Sequence, residues 1–223
     1  MNTSDLYKNT GKIALASKLS LQTRKKMYSM FNEVIKPAPS HKVLDIGVTS
    51  DDQYPESNYF EKMYPYKDNI VCVGTEDGSF LEEKYPGIRY IKVYAGDPLP
   101  FVDKEFDIAF SNAVIEHVGG LREQAAFVRE IIRVSKSFFI TTPNRWFPVE
   151  FHTAIPLLHW LPKPLHRRIL QSIGELYWSK EENLNILSMK EFSSLFPGEV
   201  RIVRNSVSLF GFPTNLIIYG TSG

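Results

Sequence analysis

Five short apolar runs constrain this chain more than any other feature: Val43 to Ile46, Ile70 to Val73, Ile88 to Tyr94, Phe106 to Phe110 and Phe138 to Thr141. Runs of that length, apolar at nearly every position, suit strands covered on both faces, because alternation is lost when neither face meets water. The first two close on Gly47 and Gly74 and lead into acid-bearing loops. Between the last two, Leu121, Ala125, Val128 and Ile132 recur at helical spacing. Upstream, Met27, Met30, Phe31 and Val34 mark one face of a helix between Leu19 and Lys36 that stops before Pro37-Ala38-Pro39. Such alternation predicts a doubly wound α/β fold around a mostly parallel sheet, with ligands outside the carboxyl ends of the strands where strand order reverses.

The C-terminal third changes pattern. Ser188 to Glu191 reads as a capping box, with Leu187 and Phe192 as its hydrophobic staple, opening a helix that ends by Pro197-Gly198. Two strands follow, Glu199 to Arg204 and Asn215 to Tyr219, and the Gly-Pro loop between them is too short for a helical crossover. They are expected to form an antiparallel pair. At 223 residues the chain fits one domain, 1–223, with an N-terminal helical region over 1–40 and a lid or substrate insertion over 144–187.

Charge and cysteine content narrow the classes. Twenty-six basic against 25 acidic residues give no global attraction to nucleic acid or to an anionic membrane. Cys72 is the only cysteine, so an intramolecular disulfide and a cysteine-based zinc site are excluded, and a reducing cytoplasm is the expected location. No run approaches the roughly 18 apolar residues of a spanning helix, and no secretory signal opens the chain. Residues 1–32 carry six basic side chains against Asp5 alone, which we read as a solvated helix face rather than a transit peptide.

Chemistry should gather after the strands. The first strand ends in VLDIGVTSD, where Gly47 lets the backbone turn sharply beside a ligand and Asp45 can accept hydrogen bonds. The second ends in VCVGTED, placing Glu76 and Asp77 about thirty residues further on, where a nucleoside-binding fold needs an acceptor for ribose hydroxyls. No second glycine follows Gly47 as G-x-G-x-x-G requires, which disfavours NAD and FAD and with them a nicotinamide-dependent oxidoreductase.

Taken together, VLDIG at 43–47, VGTED at 73–77, LPF at 99–101, FDIAFSNAVIEHVG at 106–119 and TNLIIYG at 214–220 resemble the class I S-adenosylmethionine-dependent methyltransferases, in the small-molecule, type 11-like branch. The resemblance implies a Rossmann-like, seven-stranded sheet and S-adenosyl-L-methionine as cofactor. It implies that Asp45 and Gly47 border the methionine part, that Glu76 accepts from the ribose hydroxyls, that Asp97 accepts from the adenine amino group, and that Asn112 lines the cofactor near its sulfonium. The implied activity is methyl transfer to a small molecule, lipid- or glycan-linked. A rival of another class, a cofactor-binding or scaffold protein without turnover, rests on the thinned glycine loop after Gly47.

Glu116 and His117 suggest an acid-base pair, since histidine is the side chain best suited to taking a proton near neutral pH. Hydrogen bonding of the loop in place is the simpler account of His117, and methyl transfer can proceed by positioning alone. From Phe151 to Gly174 there is no acid, while Lys163, Arg167 and Arg168 stand among apolar residues and prolines. The segment reads either as a core-packing insertion or as an apolar lid with a basic rim, suited to a lipophilic or anionic acceptor and to peripheral membrane contact. Asn144, Trp146, His152 and His159 are its candidate acceptor-facing residues. His152, His159 and His166 lie seven apart, but the intervening prolines break the helix that would align them, so no metal site is expected.

Overall fold

Every apolar run named above becomes a strand of one sheet in the computed structural model, which describes residues 10–50 and 52–222. Part of the basic N-terminal run, Asp5 and Lys8 included, and Asp51 of the first loop lie outside the described residues. The strands are β1 (Val43–Ile46), β2 (Ile70–Gly74), β3 (Arg89–Lys92), β4 (Phe106–Asn112), β5 (Ser135–Pro143), β6 (Arg201–Leu209) and β7 (Phe212–Thr221). The helices are α1 (Thr10–Ile35), α2 (Tyr59–Met63), α3 (Phe80–Lys84), α4 (Leu121–Val134), α5 (Lys163–Ser172) and α6 (Met189–Ser194). Strand order is β3-β2-β1-β4-β5-β7-β6, parallel through β5, with β7 antiparallel to both neighbours. The expected doubly wound, seven-stranded architecture with its antiparallel end is borne out.

Two apolar layers sandwich the sheet. On one side Met27 and Phe31 of α1 pack with α2 and α3 against alternate strand residues. At its centre Phe60 stacks on Phe110 at 4.2 Å, and Phe31 meets Phe60, Phe110 and Phe139 edge-on at 5.4–5.6 Å. These are preferred aromatic geometries, each adding about 0.5–1.5 kcal/mol to area burial. On the other side α4 and α6 cover Leu44, Ile46, Phe138 and Ile140. The capping box at Ser188 and Glu191 is present, and its staple residues Leu187 and Phe192 are both fully buried.

Three details depart from the sequence reading. Helix α1 begins at Thr10 rather than near Leu19. The buried face of α4 is Gln124, Val128, Ile131 and Val134, with Leu121 half exposed. A polar side chain thus takes a core position because it is hydrogen-bonded there: the Gln124 amide donates to the carbonyls of Ile115 and Asn185 at 2.9 and 3.0 Å. Strands β6 and β7 are longer than expected and joined by Phe210-Gly211 alone, both at positive φ as a twist-matched two-residue hairpin turn requires. Pro213 sits inside β7 next to a register shift at Val207/Ser208, where a missing N–H is tolerated.

Candidate functional site

Strand order reverses direction between β1 and β4, and the residues after these strands line the resulting crevice. Gly47 follows β1 at φ +100°, and a Cβ there would lie 2.0 Å from Cγ2 of Val114 in the turn after β4. The two turns approach so closely that only glycine fits between them. The Gly47 N–H donates to the Val73 carbonyl at 2.8 Å, and the Asn58 side chain holds Thr49 through two 3.0 Å bonds to its N–H and carbonyl. The loop is therefore braced by side-chain amide bonds where a second glycine is missing.

Glu76 is exposed just past β2, and the Ser50 hydroxyl reaches across from the first loop to donate to its carboxylate. Asp77 is committed elsewhere: its carboxylate accepts from the Ser79 N–H at 3.0 Å at the opening of α3, which holds its pKa below the usual range. Asp97 is exposed in the turn after β3, one strand further out on the same sheet end. Asn112 ends β4 and accepts from the Thr141 hydroxyl at 2.7 Å.

Asp45 is buried in β1. Leu44 and Ile46 face the α4 layer, so Asp45, like Val43, faces the α1–α2 layer and is 6% exposed. Its neighbour there is Glu61 of α2, fully buried, which accepts from the Cys72 thiol at 3.3 Å. Burial, and then the charge of Glu61 and a hydrogen bond to it, raise the Asp45 pKa well above the ordinary value. Its burial beside Glu61 therefore favours the protonated form of Asp45. Glu61 carries no sequence signal, because a glutamate in a five-residue helix reads as a surface residue.

A second constellation forms after β4 and β5. Glu116 and His117 occupy a 3-10 turn, Ile115–His117, held by the Asn185 N–H donating to the Glu116 carbonyl at 2.7 Å. The Glu116 side chain is fully buried: Oε2 accepts from the Thr142 hydroxyl at 3.0 Å, and Oε1 has no hydrogen-bond partner, with His117 Nε2 3.9 Å away. Burial pushes its pKa up to about 7. His117 Nδ1 lies 2.6 Å from the Asn183 carbonyl, which only accepts, so Nδ1 carries the proton and Nε2 has the lone pair. Burial and the nearby charge of His152 bring His117 down to about 4. Its side chain is still 34% exposed, open to a bound molecule.

His152 arrives from the long segment after β5. Its ring stands edge-on to His117 at 4.9 Å and against Trp178 at 4.7 Å, and its Nδ1 donates to Glu150 at 2.5 Å. Burial works against both charges, but the pairing outweighs it, so His152 is raised and Glu150 falls to about 2. Glu150 also accepts from the N–H groups of His152 and Thr153 at 2.7 Å each. The result is a buried, charged Glu150–His152 pair beside a neutral His117 and a carboxyl, Glu116, poised near neutrality. Glu150, Thr142 and Trp178 were not legible as site residues, since nothing in their spacing marks them.

The other candidates fall outside this group. Asn144 is buried, donating to the Pro213 carbonyl at 2.8 Å and accepting from the Trp146 N–H at 3.0 Å, which ties β5 to β7. Trp146 is half exposed, with the Arg145 guanidinium 5.3 Å over its ring and Trp160 at 6.3 Å. His159 is buried and donates from Nε2 to the Phe147 carbonyl at 2.7 Å.

Residues 60–138 match the methyltransferase domain family. In structure the chain is similar to the YcgJ protein of Bacillus subtilis, with a TM-score of 0.56 and 16% identity over 88% of this chain and 98% of that one. It is also similar to a Thermotoga maritima S-adenosylmethionine-dependent methyltransferase, described as a possible histamine N-methyltransferase, with a TM-score of 0.54 and 14% identity over the whole of both chains. The PH0226 protein of Pyrococcus horikoshii matches with a TM-score of 0.57 and 16% identity over 92% of this chain and 90% of that one. No curated protein matches the chain in sequence. The fold, and the domain match over residues 60–138, bear out the resemblance to class I S-adenosylmethionine-dependent methyltransferases. No helix among the described residues is long and apolar enough to cross a membrane.

Proposed function

We propose that this protein transfers the methyl group of S-adenosyl-L-methionine to a small-molecule acceptor, lipid- or glycan-linked, and that His117 takes the acceptor's proton. The observation that carries the reading is the convergence of Glu116, His117, Glu150 and His152 on the carboxyl ends of β4 and β5, beside the crevice that the fold uses for ligands. The donor set fits the cofactor: an exposed carboxylate at Glu76 offers two oxygens to two neighbouring hydroxyls, and the Gly47 turn brings bare backbone to the crevice. Asp97 and Asn112 complete the contacts, while Asp45 is buried in β1. When bound, the cofactor supplies an electrophilic methyl group on its sulfonium.

The chain's own part is orientation and proton handling. Nε2 of His117, with its lone pair free, accepts the proton as the acceptor oxygen or nitrogen attacks, so the acceptor gains a methyl and loses H⁺ to the imidazole. Glu116, once ionised, stabilises the resulting imidazolium from 3.9 Å. Methyl transfer should therefore rise with pH through about 7, the pKa of Glu116. The test is calorimetry with S-adenosylmethionine and with NAD, followed by turnover with candidate acceptors across pH. Binding of the first alone, and a limb near 7 that Glu116→Gln removes, supports the reading. Tight NAD binding refutes it, and cofactor binding without turnover on any acceptor favours a non-catalytic role.

A further inference from the structure

Strands β6 and β7 turn at Phe210-Gly211-Phe212, where the two rings are 83% and 56% exposed, the first more open than any other large apolar side chain among the described residues. A two-residue hairpin turn favours asparagine or glycine where φ is positive, yet Phe210 stands there at +51°. Neither the turn nor the core accounts for a phenylalanine at that position. The tip also has apolar neighbours. Asn144, which follows β5, donates to the Pro213 carbonyl at 2.8 Å and accepts from the Trp146 N–H, so the hairpin sits beside the turn that carries Trp146. Trp146 is half exposed and meets the Trp160 ring at 6.3 Å, with Leu157 half exposed just before the short turn of Trp160. Large apolar side chains gathered in the open mark a surface that something covers.

From this face we infer that the protein docks on an anionic membrane surface, with Phe210, Phe212 and Trp146 entering the headgroup boundary. The distribution of charge favours a lipid surface over a protein partner. From Asn205 to Ser222 there is no charged residue, and from Thr142 to Ile173 the single acid is Glu150, buried against His152. The next acids of that segment, Glu175, Glu181 and Glu182, come only past α5. Beside the hairpin, Lys26 of α1 donates to the Ser208 carbonyl at 2.9 Å, a bond that leaves its charge unmatched. Lys18 and Lys25 are exposed on one face of α1 with Gln22 between them, and Glu33, two turns past Lys26, is the only acid of that helix. The acids Glu76, Asp77 and Asp97 follow β2 and β3, at the opposite edge of the sheet from β6 and β7. Exposed rings flanked by lysines, with the acids kept to the far edge, complement lipid phosphates and acyl chains together.

The inference rests on the proposed methyl transfer for its purpose, though not for the binding itself. The hairpin and the Trp146 turn lie at the carboxyl end of β5, and β1, β4 and β5 run parallel, so the same end carries Gly47 and the Glu116–His117 turn. A chain seated on this face meets an acceptor whose lipid tail stays in the bilayer while its reactive group enters the crevice. The cofactor acids at the far edge stay in water. Contact of this kind was expected from the segment 151–174 alone, and the hairpin adds a part that no spacing in the sequence marks.

The test is co-sedimentation of the full chain with vesicles of phosphatidylcholine alone and with one-fifth phosphatidylglycerol. The chain should bind the anionic vesicles and leave the neutral ones. Combining Phe210→Ser with Phe212→Ser should weaken that binding about tenfold or more, and Lys25→Gln about fivefold. Val203→Ser, half exposed toward the other end of β6, should leave it unchanged. Quenching of tryptophan emission by brominated acyl chains needs no variant and should reach Trp146. Affinity for S-adenosylmethionine without vesicles is measured on the same variants and should not move. Failure to bind anionic vesicles, equal binding to neutral ones, or equal loss with Val203→Ser overturns the inference. So does a dimer in solution that the two phenylalanine substitutions dissociate, since the face then joins copies of this chain. Vesicle binding that stands while S-adenosylmethionine fails to bind keeps the docking surface and removes the methyltransferase reading, and the opposite result does the reverse.

Discussion

The His117 and His152 rings meet edge to face at 4.9 Å, and the two imidazoles are held in opposite states by their partners. The Glu150 carboxylate keeps His152 charged, while the Asn183 carbonyl fixes the Nδ1–H tautomer of His117. A cation beside it disfavours a second charge, so His117 stays neutral over the physiological range. This gives the neighbouring Glu116 its importance, because its own pKa is pushed up to about 7.

Glu116 makes stability depend on pH in a predictable sense. Its folded pKa of about 7 lies above its ordinary 4.5, so the folded state binds the extra proton, and stability falls as pH rises from 4.5 through 7. At about 1.36 kcal/mol per unit the full effect is roughly 3 kcal/mol. His117 acts oppositely: lowered to about 4, it adds stability as pH climbs from about 4 to 6.5. Glu116→Gln should match wild type near pH 4 and exceed it by roughly 2–3 kcal/mol at pH 8, measured by urea denaturation. An equal margin at both values would show that Glu116 titrates normally.

The two acids after β2 should separate cleanly under the proposed cofactor binding. Glu76→Ala should weaken S-adenosylmethionine binding by about 1.5–3 kcal/mol, the range for a charged hydrogen-bond partner. Asp77→Ala should leave that affinity within a factor of two or three, because its carboxylate serves the Ser79 N–H. Calorimetry on both variants decides, and the reverse order of effects would exchange the two roles.

Gly47 should tolerate no side chain. Gly47→Ala combines a left-handed backbone at +100° with a 2.0 Å approach to Val114, and about 2–5 kcal/mol of destabilisation is expected. Adding Val114→Ala should recover the steric part alone, about half. Thermal unfolding of the single and double variants measures the split, and full recovery would mean that the backbone conformation carries no strain.

The segment after β5 is anchored on one side and open on the other. Leu170 is fully buried against Trp178, Leu184 and Ile186, whereas Trp160 is 40% exposed. Leu170→Ala should cost about 2–5 kcal/mol by leaving a cavity, and Trp160→Ala under about 1.5 kcal/mol, while impairing acceptor use. Hydrogen exchange should show α5 protected and the stretch around Phe151 to Trp160 opening faster. A large loss of stability from Trp160→Ala would assign the whole segment to the core.

Sequence alone determined the fold, because it is written in local terms. Strands buried on both faces must be short and apolar, a helix must repeat at three and four, and the Ser188–Glu191 cap needs only its own turn. The positions of Gly47, Glu76 and Asn112 at the ends of strands were legible for the same reason. Tertiary structure alone decided which side chains meet. It set Asp45 beside the buried Glu61, since strand alternation assigns a face without saying what packs there. It brought Glu150 and His152 to His117 from some 33 residues further along the chain, and Arg145 to Lys163 and Arg167 where the sequence grouped Arg168 with them. Those contacts depend on how the long segment after β5 folds back over the sheet, and no periodicity encodes that path.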